Sequence, residues 1–314
     1  MTFRMLDNQG EIEGYASAVA QVAGIPQQHV EKDFWITEAL RGVANASRET
    51  ECSVIFKGGT SLSKAYRLIE RFSEDVDLLA ILPDGSPKAR NTILKKIVAG
   101  AESATGIEGV LDLASVTRGE KRSVRLSYPT ALESSGLRSS VLIEIGTRGG
   151  ALPFVRRPVQ SLIAEYAERA TLDADFEEME PVSLLVLEPA RTLVEKLMIL
   201  HHAATEGGQK RRRDTARHYY DVDVLLRSSA VLNELKLRNA DVLAREVARH
   251  SVAAGLPSVE RPAGGFAHSP AWASGQEEVE QSYDDVLRLL VWPNAATSTF
   301  EECCERVHTL SDLL

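Results

Sequence analysis

The chain has 314 residues, 44% of them hydrophobic and 26% charged, which is enough to bury a sizeable core and to build two lobes. A net charge of −9 excludes indiscriminate nucleic-acid binding by the whole surface and leaves room for local basic patches only. Three cysteines, two of them adjacent at Cys303 and Cys304, exclude a disulfide framework and a zinc pattern; with no apolar run of membrane-spanning length and no signal-like start, a reducing cytoplasm is the expected location.

In chain order, helices are expected over Ile12–Val22 and Val30–Val43, on either side of the break at Gly24-Ile25-Pro26. Val54-Ile55-Phe56 reads as a short strand, ended by Gly58-Gly59 because glycine turns without steric cost. Leu62, Ala65, Tyr66, Ile69 and Phe72 then recur at helical spacing, with Thr60 or Ser61 as the natural N-cap. Strand, glycine turn and helix start in that order favour an anion, and phosphate is the usual one. Gly58, Gly59 and Ser61 are the candidate phosphate contacts, with Ser63 and the cation of Lys64 nearby.

Asp75-Val76-Asp77-Leu78 follows, with Asp75 sixteen positions after Gly59. Strand alternation puts both carboxylates on one face, where they repel unless a cation lies between them. Mg²⁺ takes carboxylate and phosphate oxygens, so such a pair can hold one or two Mg²⁺ against a triphosphate. The competing reading is a solvated edge strand. Ser73, just before the strand, joins the nucleotide-binding candidates; a phosphate placed on it would repel both acids. A helix is expected over 88–104 and strands near 110–116, 122–128 and 139–146. In the last of these, Glu144 is a lone charge within Val141–Ile145, costly to bury without a partner, and a metal shared with Asp75 and Asp77 would explain it. The whole reads as an α+β lobe on a mixed sheet over residues 1–180, with a helix near 158–170 and an extended run at Val182–Leu187.

Residues 181–314 read as a mostly helical lobe, with helices at 190–205, 218–227, 230–236, 239–254, 277–290 and 299–314 and a long loop over 256–276. Basic clusters occur at Lys210-Arg211-Arg212-Arg213 with Arg217, and at Arg118, Lys121, Arg122 and Arg125; each is either a solvated face or a phosphate contact. The adjacent pair His201-His202 points about 100° apart on a helix and is read as structural.

Gly58-Gly59, Asp75-x-Asp77 and Glu144 together resemble the nucleotidyltransferase superfamily of DNA polymerase beta and the tRNA CCA-adding enzymes. The fuller string is similar to the AbiEii/AbiGii toxin family, which includes the mycobacterial MenT toxins. Val30-Glu31-Lys32-Asp33-Phe34-Trp35, Glu188-Pro189 through Glu195-Lys196-Leu197, and Arg217-His218-Tyr219-Tyr220-Asp221 resemble its other motifs, so the resemblance runs from about residue 25 to the C-terminus. It implies a nucleotidyltransferase fold and transfer of an NMP group from an NTP to an acceptor hydroxyl with release of pyrophosphate. It implies Lys196 on the triphosphate and Asp221, with Asp214 as its rival, as an active-site acid facing Asp75. It further implies a tRNA 3′ end as acceptor, so that translation is blocked, and a cognate antitoxin. Two other readings remain open: a GTP-binding toxin that acts without turnover, and a toxin of this fold that transfers AMP to protein.

Overall fold

The structure, a computed structural model, describes residues 3–50, 52–73, 75–132, 137–172, 175–253, 260–273 and 275–314. The chain divides into two compact units. One comprises Met1–Ala65, Glu74–Thr147 and Phe154–Val186; the other comprises Tyr66–Ser73, Arg148–Pro153 and Leu187–Leu314. No helix among the described residues is long and apolar enough to cross a membrane.

The first unit contains α1 (Gln9–Ala23), α2 (Gln27–Glu49), β1 (Ser53–Lys57), α3 (Gly58–Lys64), β2 (Asp75–Ile81), α4 (Pro87–Thr105), β3 (Gly109–Leu111), β4 (Lys121–Ser127), β5 (Ser140–Gly146), β6 (Phe154–Val159), α5 (Leu162–Arg169) and β7 (Val182–Leu187). The strands form one mixed sheet in the order β3-β4-β5-β2-β1-β7-β6. β2 runs parallel to β5 and antiparallel to β1, and β1 runs parallel to β7. Val76, Leu78, Val141, Ile143, Ile145, Val124 and Leu126 are buried on the side where α2 and α4 pack, so alternation puts Asp75, Asp77, Glu144, Lys121, Ser123 and Arg125 on the other side.

α2 and α4 cross at two glycines. A Cβ on Gly42 would lie 2.1 Å from the Gly100 carbonyl oxygen, and one on Gly100 would lie 2.5 Å from that of Gly42. Neither backbone can retreat. Gly42→Ala gains about 1 kcal/mol of helix propensity, but the overlap outweighs this, and a net destabilisation of about 2 kcal/mol is expected. Gly14 in α1 has open space at the same position. Gly14→Ala should therefore be neutral or stabilising by up to about 1 kcal/mol. Urea midpoints at unchanged m-value separate the two cases.

Three expectations are corrected here. The helix after Gly58-Gly59 begins at the glycines, with Lys57 rather than Thr60 or Ser61 as N-cap, and stops at Lys64. It cannot run on to Phe72, because Arg67 takes a left-handed backbone (φ 53°) and Glu70–Phe72 become extended, hydrogen-bonding to Leu290 and Trp292. The apolar spacing of Ile69 and Phe72 reflects burial rather than helix. The helix expected over 158–170 is split into β6 and α5, divided at Ser161, whose side chain caps α5 by accepting from Ala164 N. The strand expected at 110–116 is only β3, followed by a 3₁₀ turn at Leu113–Ser115.

The second unit contains α6 (Pro189–Thr205), α7 (Gln209–Asp214), α8 (Arg217–Arg227), α9 (Ser229–Arg238), α10 (Ala240–Ala253), α11 (Glu277–Leu289) and α12 (Phe300–Thr309). The described part of the expected loop carries 3₁₀ turns at Phe266–His268 and Pro270–Trp272, whose aromatic rings are buried; residues 256–259 and 274 lie outside the described residues. Trp272 and Phe300 pack edge-on against Tyr219, centring this unit's core on α8.

Candidate active site

The sheet registers set out the acids in a row. Asp77 pairs with Glu144 across β2 and β5, and Glu144 pairs with Ser123 across β5 and β4; Asp75 pairs with Leu142, and Leu142 with Arg125. Asp75, Asp77 and Glu144 therefore lie on one half-exposed face. On the other flank of β2, Gly58 has φ +75°, and a Cβ there would stand 2.2 Å from Asp77 Oδ2. Only glycine lets the chain turn this tightly while the Asp77 carboxylate packs against its α-carbon. The Gly-Gly step and the D-x-D pair, separated in sequence by a whole helix, are thus in van der Waals contact.

The third acid departs from expectation. Glu144 Oε1 accepts from Ser123 Oγ at 3.0 Å and lies 2.9 Å from Lys121 Nζ. Among the described residues no group of three or more His, Cys, Asp or Glu side chains could hold a metal ion. The three acids share a face but do not converge as a set of three, because Glu144 is turned toward β4. Asp75 and Asp77, two carboxylates on one half-exposed face, are of the donor type that suits Mg²⁺, which is commonly held by one or two carboxylates with phosphate oxygens and water completing its shell.

α3 differs from expectation in its side chains. The Ser61 hydroxyl is buried and donates to the Gly58 carbonyl at 2.9 Å, and Thr60 donates its hydroxyl to the Asp75 carbonyl. Thr60 ties the turn to β2, and Ser61 closes the first turn of α3 on itself. Lys64 is buried, and its ammonium donates to Asp33 Oδ1 at 2.5 Å and to the carbonyls of Asp33 and Gln160 at 3.3 Å. The other Asp33 oxygen accepts from Leu162 N at 2.7 Å. Lys64 therefore pins α3 to α2 and to the start of α5, which replaces its expected place among the phosphate contacts. The neighbouring charges of the same motif act alike: Glu31 accepts from Thr130 at 2.7 Å, and Lys32 donates to the Arg138 carbonyl at 3.2 Å.

Within the second unit, Asp221 is fully buried. Arg71 grips it bidentately (2.6 and 2.7 Å), and Lys196 Nζ lies 2.6 Å from its Oδ2. Lys196 Nζ also lies 3.3 Å from His218 Nδ1, which is itself 3.6 Å from Asp221 Oδ2. Burial opposes the charge on Asp221, but Arg71 and Lys196 together outweigh it and hold the carboxyl well below its ordinary range. Burial first, and then Lys196, press His218 down to about 3, so the imidazole is neutral at neutral pH. Burial pulls Lys196 below the ordinary lysine range, with Asp221 opposing. Lys196 is only 4% exposed, so the expectation of an ammonium offered to a triphosphate meets a buried ion cluster instead. Asp221, not the exposed Asp214, is the acid in it. Ser73 is half-buried at the end of the segment that brings in Arg71.

Lys210, Arg211, Arg212 and Arg213 are exposed on the short α7, and Arg217 is exposed at the start of α8. Arg213 makes only a 3.8 Å exposed pair with Glu278, the kind that contributes little. Arg71 and Ser123 are site residues that no sequence motif marks. Arg71 carries no local signal, since its partner is 150 residues away; Ser123 is implied only by strand alternation from Lys121.

The family model described as the nucleotidyl transferase AbiEii toxin of type IV toxin–antitoxin systems matches residues 39–291. No curated protein matches the chain. Among solved structures, MenT4, a nucleotidyltransferase toxin from Mycobacterium tuberculosis H37Rv, superposes with a TM-score of 0.59 at 18% identity, covering 95% of this chain and 88% of that one; the likeness is one of fold. With its glycine turn set against the D-x-D strand and most of its length matched by the family model, the chain belongs to the AbiEii nucleotidyltransferase toxin family.

Proposed function

We propose that this protein is a Mg²⁺-dependent nucleotidyltransferase toxin of the cytoplasm that moves an NMP group from an NTP to the 3′ end of tRNA, blocking translation, and that a cognate antitoxin opposes it. Membership of the family supports the NTP substrate and the antitoxin. The observation that carries the chemistry is the packing of Asp77 Oδ2 against Gly58, with Asp75 on the same half-exposed face. Asp75 and Asp77 would hold the divalent ion, which when bound offsets negative charge on the phosphates. The first turn of α3 has no side-chain cap, so its backbone N–H groups favour the polyphosphate. The acceptor oxygen bonds to the α-phosphorus, the bond from that phosphorus to the bridging oxygen breaks, and pyrophosphate leaves with the electron pair. The hydroxyl proton passes to water or to a carboxylate of the face. Positioning and charge neutralisation supply most of the rate, as is general for phosphoryl groups.

A second reading, nucleotide binding without turnover, is favoured by one observation: Glu144, the third acid, is held by Lys121 and Ser123. One experiment separates the two. The full chain is incubated with Mg²⁺, unfractionated tRNA and each NTP labelled at the α-phosphate or, in parallel, at the γ-phosphate. Transfer of the α-label alone to tRNA, lost in Asp77→Asn, supports turnover. Labelling of protein instead of RNA would move the acceptor to a protein hydroxyl, and no transfer from any NTP would leave binding alone.

A further inference from the structure

The carboxylate face has an order across the sheet that assigns its two sides. On the β1 side of β2 lies the Gly58 turn with α3; on the other side lie Glu144 of β5 and then Lys121, Ser123 and Arg125 of β4. Strand alternation sets Lys121, Ser123 and Arg125 on the same face as Asp75 and Asp77, while Arg122 belongs to the opposite one. Lys121 is 43% exposed at its side chain against 26% for Glu144, so the ammonium is accessible while one Glu144 oxygen anchors it. Arg125 is half-exposed, its guanidinium donating to Ser140 Oγ at 3.2 Å.

Displacement at the α-phosphorus is in line: the attacking oxygen enters opposite the leaving pyrophosphate. If the polyphosphate lies at the Gly58 turn, the acceptor hydroxyl has to arrive from the β5 and β4 side. A polynucleotide acceptor brings phosphates with it, and the groups waiting there are two cations. On this basis, which rests on the transferase reading above, we propose that Lys121 and Arg125 of β4 form the acceptor subsite, binding backbone phosphates of an RNA strand whose terminal hydroxyl is directed at Asp75 and Asp77. Glu144 then serves as the anchor of Lys121. On a chain of net charge −9, this local patch supplies attraction that the whole surface does not.

The test is equilibrium binding, which requires no transfer. Fluorescence anisotropy with 5′-labelled unfractionated tRNA, and separately with a fluorescent NTP plus Mg²⁺, is measured for the full-length wild type, Lys121→Ala, Lys121→Arg, Arg125→Ala and Glu144→Gln. Lys121→Ala and Arg125→Ala should each weaken RNA binding about tenfold and reduce the slope of log K against log salt by about 1, with NTP affinity unchanged and Lys121→Arg close to wild type. Glu144→Gln should leave RNA binding intact or tighter, since it frees Lys121. The proposal is overturned if the wild type binds no RNA, if the two alanine variants bind it as well as the wild type does, if they weaken NTP binding instead, or if Glu144→Gln weakens RNA as much as Lys121→Ala does, the mark of a purely structural clasp. Label transfer to protein without RNA binding would sink this subsite and leave the transferase chemistry standing. RNA binding of the expected pattern with no label transfer would do the reverse.

Discussion

Asp77→Asn is expected to reduce NMP transfer by on the order of 10³-fold, the scale of losing a charge aimed at a phosphoryl transition state. Asparagine keeps the volume that packs against Gly58 and removes only the charge. The urea midpoint of the variant, measured at unchanged m-value, separates a loss of charge at the site from a loss of fold. A second readout is independent of turnover: Mg²⁺ with a non-hydrolysable NTP should raise the wild-type thermal midpoint by mass action and leave that of Asp77→Asn unmoved. An equal shift in both would remove Asp77 from the metal site.

Asp221→Asn should behave in the opposite way. The Arg71 and Lys196 side chains, 2% and 5% exposed, would both lose the carboxylate they share. Removing one partner of such a buried set costs about 3–5 kcal/mol, against a total stability of roughly 5–15 kcal/mol. Chemical denaturation should show this as a large drop in midpoint at constant m-value. A double-mutant cycle with Arg71→Gln should return a coupling of at least about 1 kcal/mol, and additive losses would contradict a shared network. The pH dependence follows from the depressed Asp221 carboxyl. A lowered folded-state value means the stabilisation is complete above the unfolded value of about 3.9 and is lost as pH falls from there toward the folded one. The wild type should thus lose stability below about pH 4 more steeply than Asp221→Asn, and the two curves should converge in acid.

The local chemistry of this protein could be read from its residues because it is local. Alternation at Asp75–Leu78 and Val141–Ile145 identified the strands and the face of each acid, since a buried partner on one side leaves the charges to the other. Pro189 at the first turn of α6 and the apolar spacing of α8 worked for the same reason. What could not be read depends on which strands and helices meet. In the sequence Glu144 is an isolated charge that a shared metal would explain. Its partners are Lys121 and Ser123, which only the β4–β5 register brings within reach. Lys64, beside a glycine turn, had the look of a phosphate ligand, yet Asp33 lies 31 residues earlier and takes its ammonium. Ile69 and Phe72 kept helical spacing in an extended segment because tertiary burial, not local propensity, set their positions.

Manganese can replace magnesium as a spectroscopic probe of the carboxylate pair. Free Mn²⁺ counted by electron paramagnetic resonance, in the presence of a non-hydrolysable NTP analogue, should show tight binding by the wild-type protein and by Glu144→Gln. That binding should disappear in Asp75→Asn/Asp77→Asn. If the double variant retains Mn²⁺ and nucleotide as the wild type does, the ion and the triphosphate are held elsewhere, and the Gly58 turn with its two aspartates is not the catalytic centre.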